Sequence, residues 1–134
     1  MKSSSSENGD IRFNDFRDLE VWESCRELRG KIWVLSKKLP AEEKHRLCDQ
    51  MIRASRSATA NIAEGYGRFH YQESIQFCRQ ARGSLYELID HVTAAVECGY
   101  IGQKEGEELV EEIKKAIILL NGYIRYLKSR KQNS

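Results

Sequence analysis

Apolar residues recur every three or four positions in one segment after another of this chain, and that period limits its folds more than any other feature. Val21, Cys25, Leu28, Ile32, Leu35 and Leu39 are spaced 4, 3, 4, 3 and 4. Cys78, Ala81, Leu85, Leu88, Val92 and Ala95 repeat the pattern, as do Leu109, Ile113, Ala116, Leu120, Ile124 and Leu127. Such spacing lines one side of a helix, whereas a strand needs alternation by two, and no segment here alternates. Between the first two seams, Leu47, Met51, Ala54, Ala58 and Ile62 form a narrower stripe that tapers from large to small, with Ser55, Ser57 and Thr59 slimming its second half. A helix that slim packs close to its neighbour. The fold class is therefore all-α: an antiparallel up-down-up-down four-helix bundle with short connections.

Turn chemistry sets the expected boundaries. The first helix starts at a cap supplied by Asp15 or Asp18 and runs to about Lys38, where Leu39-Pro40 stops it. Pro40 and the acidic Glu42-Glu43 suit the first turn of a second helix reaching about Glu64. Gly65 and Gly67 then supply permissive dihedrals for a reversal, and a third helix spans about Tyr71 to Cys98. Gly99 is placed as its left-handed cap, with Tyr100-Ile101 closing it, and Gly102-Gln103-Lys104-Glu105 opens the fourth helix. Residues 1–14, with four consecutive serines, read as a flexible arm, residues 15–130 as the bundle and residues 131–134 as a short tail.

With 40% hydrophobic and 31% charged residues the composition is that of a globular domain, and no apolar run approaches the ~20 residues that span a bilayer. No membrane association is expected, and serines without an apolar core after Lys2 make no secretory signal, so the location read from the sequence is cytoplasmic. Cys25, Cys48, Cys78 and Cys98 form no C-x-x-C pair and read as buried reduced thiols. Trp22, Trp33, Ile117 and Ile118 add apolar surface beside the seams, which points to a face buried against another copy of the chain.

The chain resembles a known family at four places. Phe16-Arg17-Asp18-Leu19-Glu20-Val21-Trp22, Asn61-Ile62-Ala63-Glu64-Gly65, Gly83-Ser84-Leu85-Tyr86-Glu87, and Gly99-Tyr100-Ile101 with Leu120-Asn121 occur in this order and spacing. Together they resemble the bacterial four helix bundle proteins encoded within intervening sequences of large-subunit ribosomal RNA genes, once labelled a ribosomal protein. The resemblance implies up-down protomers assembled as a ring-like homopentamer, with no enzymatic activity assigned. It further implies a distant branch that accompanies the reverse transcriptases of diversity-generating retroelements and binds nucleic acid. Two positions depart from the pattern: Thr59 stands where members often carry Pro, which removes a kink from the second helix, and Gly102 stands where a Ser or Asp cap is usual.

Chemistry is sparse by comparison. A di-iron bundle needs two inward Glu-x-x-His pairs, and only Glu42-Glu43-Lys44-His45 has that spacing, so no metal and no cofactor is expected. Glu64 and Glu87 could pair as carboxylates, but no nucleophile accompanies them and no catalytic residue is assigned. Asn61, Glu64, Ser84 and Glu87 are expected instead to form a buried polar network that fixes helix register. Gly65-Tyr66-Gly67-Arg68-Phe69-His70-Tyr71 mimics an RNA-recognition strand, yet that motif requires a sheet; as a loop it could still stack on unpaired bases. Arg53, Arg56, Arg68, Arg79 and Arg82 are the candidate nucleic-acid contacts, in a stretch with few acids, and Arg125, Lys128, Arg130 and Lys131 near the C-terminus meet no acid at all. The expected function is non-enzymatic binding of structured RNA, ribosomal RNA foremost, by a homo-oligomeric bundle. The alternative is a protein–protein scaffold, such as an accessory subunit of a retroelement reverse transcriptase.

Overall fold

The computed structural model describes residues 15–133, so the arm expected over residues 1–14 lies outside the described residues. Every regular element among the described residues is helical. Four long helices follow in order: α1 (Glu20–Ser36), α2 (Leu47–Tyr66), α3 (Tyr71–Glu97) and α4 (Gln103–Asn133). Each packs on the next and α1 packs on α4, while the backbones of the diagonal pairs stand further apart, which is the layout of a four-helix bundle. The tail expected at residues 131–134 continues α4 as far as Asn133.

The seams fall where their period places them. Every apolar position named for the first, third and fourth helices is buried, and Met51, Ala54, Ala58 and Ile62 are buried on α2, with Leu47 half-buried at its start. α2 runs unbroken through Thr59, whose hydroxyl donates to the Arg56 carbonyl and accepts from Arg29. Two expected starts are corrected. Asp15 caps a separate 3₁₀ turn (Phe16–Asp18) by accepting from the Arg17 N–H, Asp18 is buried, and α1 begins after Leu19 with no side-chain cap. Pro40 likewise precedes a short 3₁₀ turn (Ala41–Glu43), because the backbone of Arg46 (φ −124°, ψ −103°) breaks the helical path before α2 begins.

The reversals differ in kind. Gly99 alone among the described residues has a left-handed backbone, φ 78°, and its N–H donates to the Val96 carbonyl while that of Tyr100 donates to Ala95. Those two bonds are a complete Schellman cap. Gly65 and Gly67 do not act through their dihedrals as expected: Gly65 lies inside α2 and Gly67 is right-handed. Gly65 is needed for space, since a Cβ there would stand 2.9 Å from the Phe77 Cβ and 3.1 Å from the Ser74 carbonyl oxygen. The Ser74 hydroxyl donates to the Gly65 carbonyl at 2.6 Å, fastening α3 directly to the backbone of α2.

Candidate nucleic-acid interface

The turn between α2 and α3 and the last turns of α4 meet at one end of the bundle. Lys131 on α4 donates to Gln72 on the first turn of α3, and a hydrogen bond with Tyr71 raises the pKa of Arg130. This brings Arg130 and Lys131, the end of the acid-free run that begins at Arg125, beside the aromatic turn. Phe69 is 90% exposed at that turn, with its ring edge-on to His70 at 4.9 Å, and Tyr66 and Tyr126 are exposed as well. Tyr126 stacks on Tyr123, whose hydroxyl burial holds well above its usual pKa. Arg68 bridges to Glu64 at 2.6 Å and lies 4.8 Å from the centre of the Phe77 ring. Exposed rings among guanidinium and ammonium groups suit unpaired bases, which offer a flat face to stack and a phosphate to neutralise.

The arginines singled out from the sequence do not make one patch. Arg53 and Arg79 are exposed on α2 and α3, Arg56 lies 5.7 Å from the Trp33 ring of α1, and Arg82 donates to Asn121 on α4 at 2.7 Å. Only Arg68 of that set lies in the aromatic turn. The basic residues that join it come from α4, about sixty positions away in sequence; their lack of acidic neighbours was readable, but their position beside Tyr71 depends on the fold.

The polar network is smaller than expected. The Asn61 side-chain amide donates to the Ser57 carbonyl and hydroxyl at 2.9 and 3.0 Å, and the Ser84 hydroxyl donates to Ser57 at 2.9 Å. Ser57 is thus its centre, and it ties α2 to α3. Glu64 and Glu87 are not buried: both are exposed, and each pairs one helical turn along its own chain, with Arg68 and with His91 at 3.0 Å. Long carboxylates on the flank of a seam reach solvent more cheaply than they desolvate.

Of the residues expected between subunits, Trp33 and Ile118 are exposed, at 46% and 65%. Trp22 and Ile117 belong instead to the protomer's own core, Trp22 packing edge-on to Phe16 at 5.2 Å. Cys25, Cys48 and Cys78 are buried, burial pushing the Cys25 thiol up to about 12 and Cys78 to about 11, whereas Cys98 is exposed, contrary to expectation. Among the described residues no three His, Cys, Asp or Glu side chains gather as metal ligands. Among the described residues no helix is long and apolar enough to cross a membrane.

One contact joins the loops at the opposite end. The Tyr100 hydroxyl donates to Glu43 at 2.7 Å, and the other Glu43 oxygen accepts from the Leu47 N–H at 3.3 Å. The two bonds hold the Glu43 carboxyl below the usual range, and the carboxylate raises Tyr100 to about 12. Glu43, the residue beside the Glu42 of the Glu-x-x-His spacing, is a clasp between the connections that precede α2 and α4.

Comparison with known proteins agrees with the architecture. A protein of unknown function from the S23 ribosomal protein family of Bacteroides thetaiotaomicron VPI-5482 has a similar structure, with a TM-score of 0.72 over 78% of this chain and 97% of that one. At 23% identity that likeness speaks for the fold. No curated protein matches the chain. The family model of the 23S rRNA-intervening sequence protein matches residues 17–122, which hold all four of the helices' contact seams except the last positions of α4. As its sequence signatures imply, the chain belongs to the 23S rRNA-intervening sequence protein family.

Proposed function

We propose that this chain is a non-enzymatic, homo-oligomeric protein of the cytoplasm that binds structured RNA, ribosomal RNA foremost, at the end of the bundle where the α2/α3 turn meets the last turns of α4. The observation that carries the reading is Phe69, 90% exposed and flanked by Arg68 and the acid-free basic run of α4. A bare phenylalanine is costly to leave in water, and a base stacked on such a ring contributes about 1 to 3 kcal/mol. The cations neutralise phosphates and release counterions, so affinity falls steeply with salt. Arg53 and Arg79 add to the field without forming the site. A ring-like homopentamer, as the family resemblance implies, repeats the patch and adds avidity without new contacts.

Glu64 and Glu87 are held apart, on Arg68 and on His91. The test is retention of a folded ribosomal RNA fragment across a salt series. Phe69→Ala weakens binding about tenfold, and Lys128→Glu with Arg130→Glu abolishes it while leaving the oligomer intact. Wild-type protein that binds no RNA at low salt, or binds it independently of salt, transfers the protein to the scaffold class, with a retroelement reverse transcriptase as the partner to try first.

A further inference from the structure

The two flanks of α1 carry opposite charge. Toward α2, Arg26, Arg29, Trp33 and Lys37 are spaced 3, 4 and 4 and form one stripe. Arg26, Arg29 and Trp33, together with Ile52, Ser55 and Arg56 of α2, border a crevice of about 370 Å³. Trp33 is the half-exposed ring in it, with the Lys37 ammonium 4.2 Å and the Arg56 guanidinium 5.7 Å from its centre. Toward α4 the same helix borders a groove in two adjoining parts of about 740 and 550 Å³, which share Glu27, Lys31, Glu108 and Glu112. The groove has apolar lining from Leu35, Leu109, Leu119 and Val34, the last 60% exposed, between rims of glutamate on both helices. Lys31 crosses it to Glu112 at 2.6 Å, and Lys38 to Glu105 at 3.3 Å.

We propose that the Trp33 ridge of one copy docks into the α1/α4 groove of a second copy, in a head-to-tail contact. The inference rests on the homo-oligomeric reading and names its two surfaces. An aromatic anchor ringed by cations is the composition that dominates binding energy at interface centres, and a groove with an apolar lining and acidic rims is its complement in shape class and charge. A second copy fits better than a small ligand because both halves recur once per chain, and a contact between unlike surfaces of identical chains propagates until rotation closes it. Ile118, on α4, borders neither the crevice nor the groove and has no part in this contact.

Charge reversal tests both surfaces at exposed positions. One variant carries Arg26→Glu, Lys37→Glu and Arg56→Glu; the other carries Glu27→Lys, Glu108→Lys and Glu111→Lys. Light scattering at micromolar concentration should give an assembly for the wild type and the 15.5 kDa monomer for either variant alone. An equimolar mixture of the two should recover a mass above the monomer, because each then meets a surface of opposite sign. If the glutamate variant is monomeric while the lysine variant keeps the wild-type mass, two Trp33 ridges face each other and the proposal is overturned. If both keep the wild-type mass, the interface lies elsewhere and it is overturned as well. A wild type that is monomeric at every salt concentration sinks the homo-oligomeric reading and this contact with it. Should a triple variant lose its helical circular dichroism, Trp33→Glu and Val34→Lys, single changes at exposed positions, ask the same question.

Discussion

The bundle is closed on one side and open on the other. Between α2 and α3 small residues line the contact: Ala54, Ala58, Gly65 and Ala81 are buried, the Ser74 hydroxyl reaches across to the Gly65 carbonyl and the Ser84 hydroxyl to that of Ser57. Between α1 and α4 the connections are long side chains, Lys31 to Glu112 and Lys38 to Glu105, spanning a groove that the backbones do not close. The first kind of seam is short-range and closely packed at Gly65, so it tolerates no added atom there. The second is partly solvated, each ion pair contributing at most about 1 kcal/mol, so it adapts to whatever lies against it. One chain thus holds a rigid half that fixes the fold and a half whose surface is left for recognition.

Adding one methyl group to each half separates them most clearly. Gly65→Ala forces its new Cβ against the Phe77 Cβ and the Ser74 carbonyl, and neither is the free end of a flexible side chain. The helices must move apart, the bond from Ser74 to Gly65 lengthens, and the expected loss is about 1 to 3 kcal/mol despite the better helix propensity of alanine. Urea denaturation measures it. A midpoint equal to or above wild type would mean that α2 and α3 are not in close backbone contact.

The matching change in the open half has the opposite sign. A Cβ on Gly30, in the middle of α1, meets nothing within 4 Å. Gly30→Ala should therefore stabilise by about 0.5 to 1 kcal/mol, the helix-interior difference between the two residues. It should also report on assembly, because Gly30 borders both the Trp33 crevice and the groove. A gain in stability together with a loss of mass would place a second copy directly on this turn of α1.

What could be read from the sequence follows the same division. Burial along a helix repeats with the chain's own period, so seam positions such as Leu28, Leu88 and Ile113 each report their side without knowledge of any partner. The stretch at Ala58 to Gly65 likewise announced a close approach through its small residues. Which flank a residue faces beyond the seam depends on how far apart two helices stand, and that is a property of pairs. Trp22 and Ile117 were expected outside because they lie beside the seam; Trp22 is covered because Phe16, in a turn outside the periodic pattern, folds over it. The basic end of the molecule is equally hidden, since Tyr71 and Arg130 become neighbours only when α4 runs the full length of the bundle. Glycine is ambiguous in the same way: Gly65 has the sequence context of a turn residue and is a packing residue, and the space around its Cβ distinguishes the two.

The smallest expected effect bears on the residue whose burial was expected and not found. Glu64 lies in the last turn of α2, half-exposed, with its carboxylate on Arg68 at 2.6 Å. An exposed pair of this kind contributes a few tenths of a kcal/mol, and a negative charge near a helix C-terminus opposes the helix dipole, which offsets part of that. Glu64→Ala should leave the urea midpoint within about 0.5 kcal/mol of wild type. Removing the carboxylate also releases the Arg68 guanidinium next to Phe69 and its exposed neighbours, so RNA retention at low salt should rise slightly. The two readouts together distinguish a flank residue from a core one. A loss of 1 kcal/mol or more would show that the α2/α3 seam extends further toward this end than its small residues do, and would move Glu64 into the rigid half.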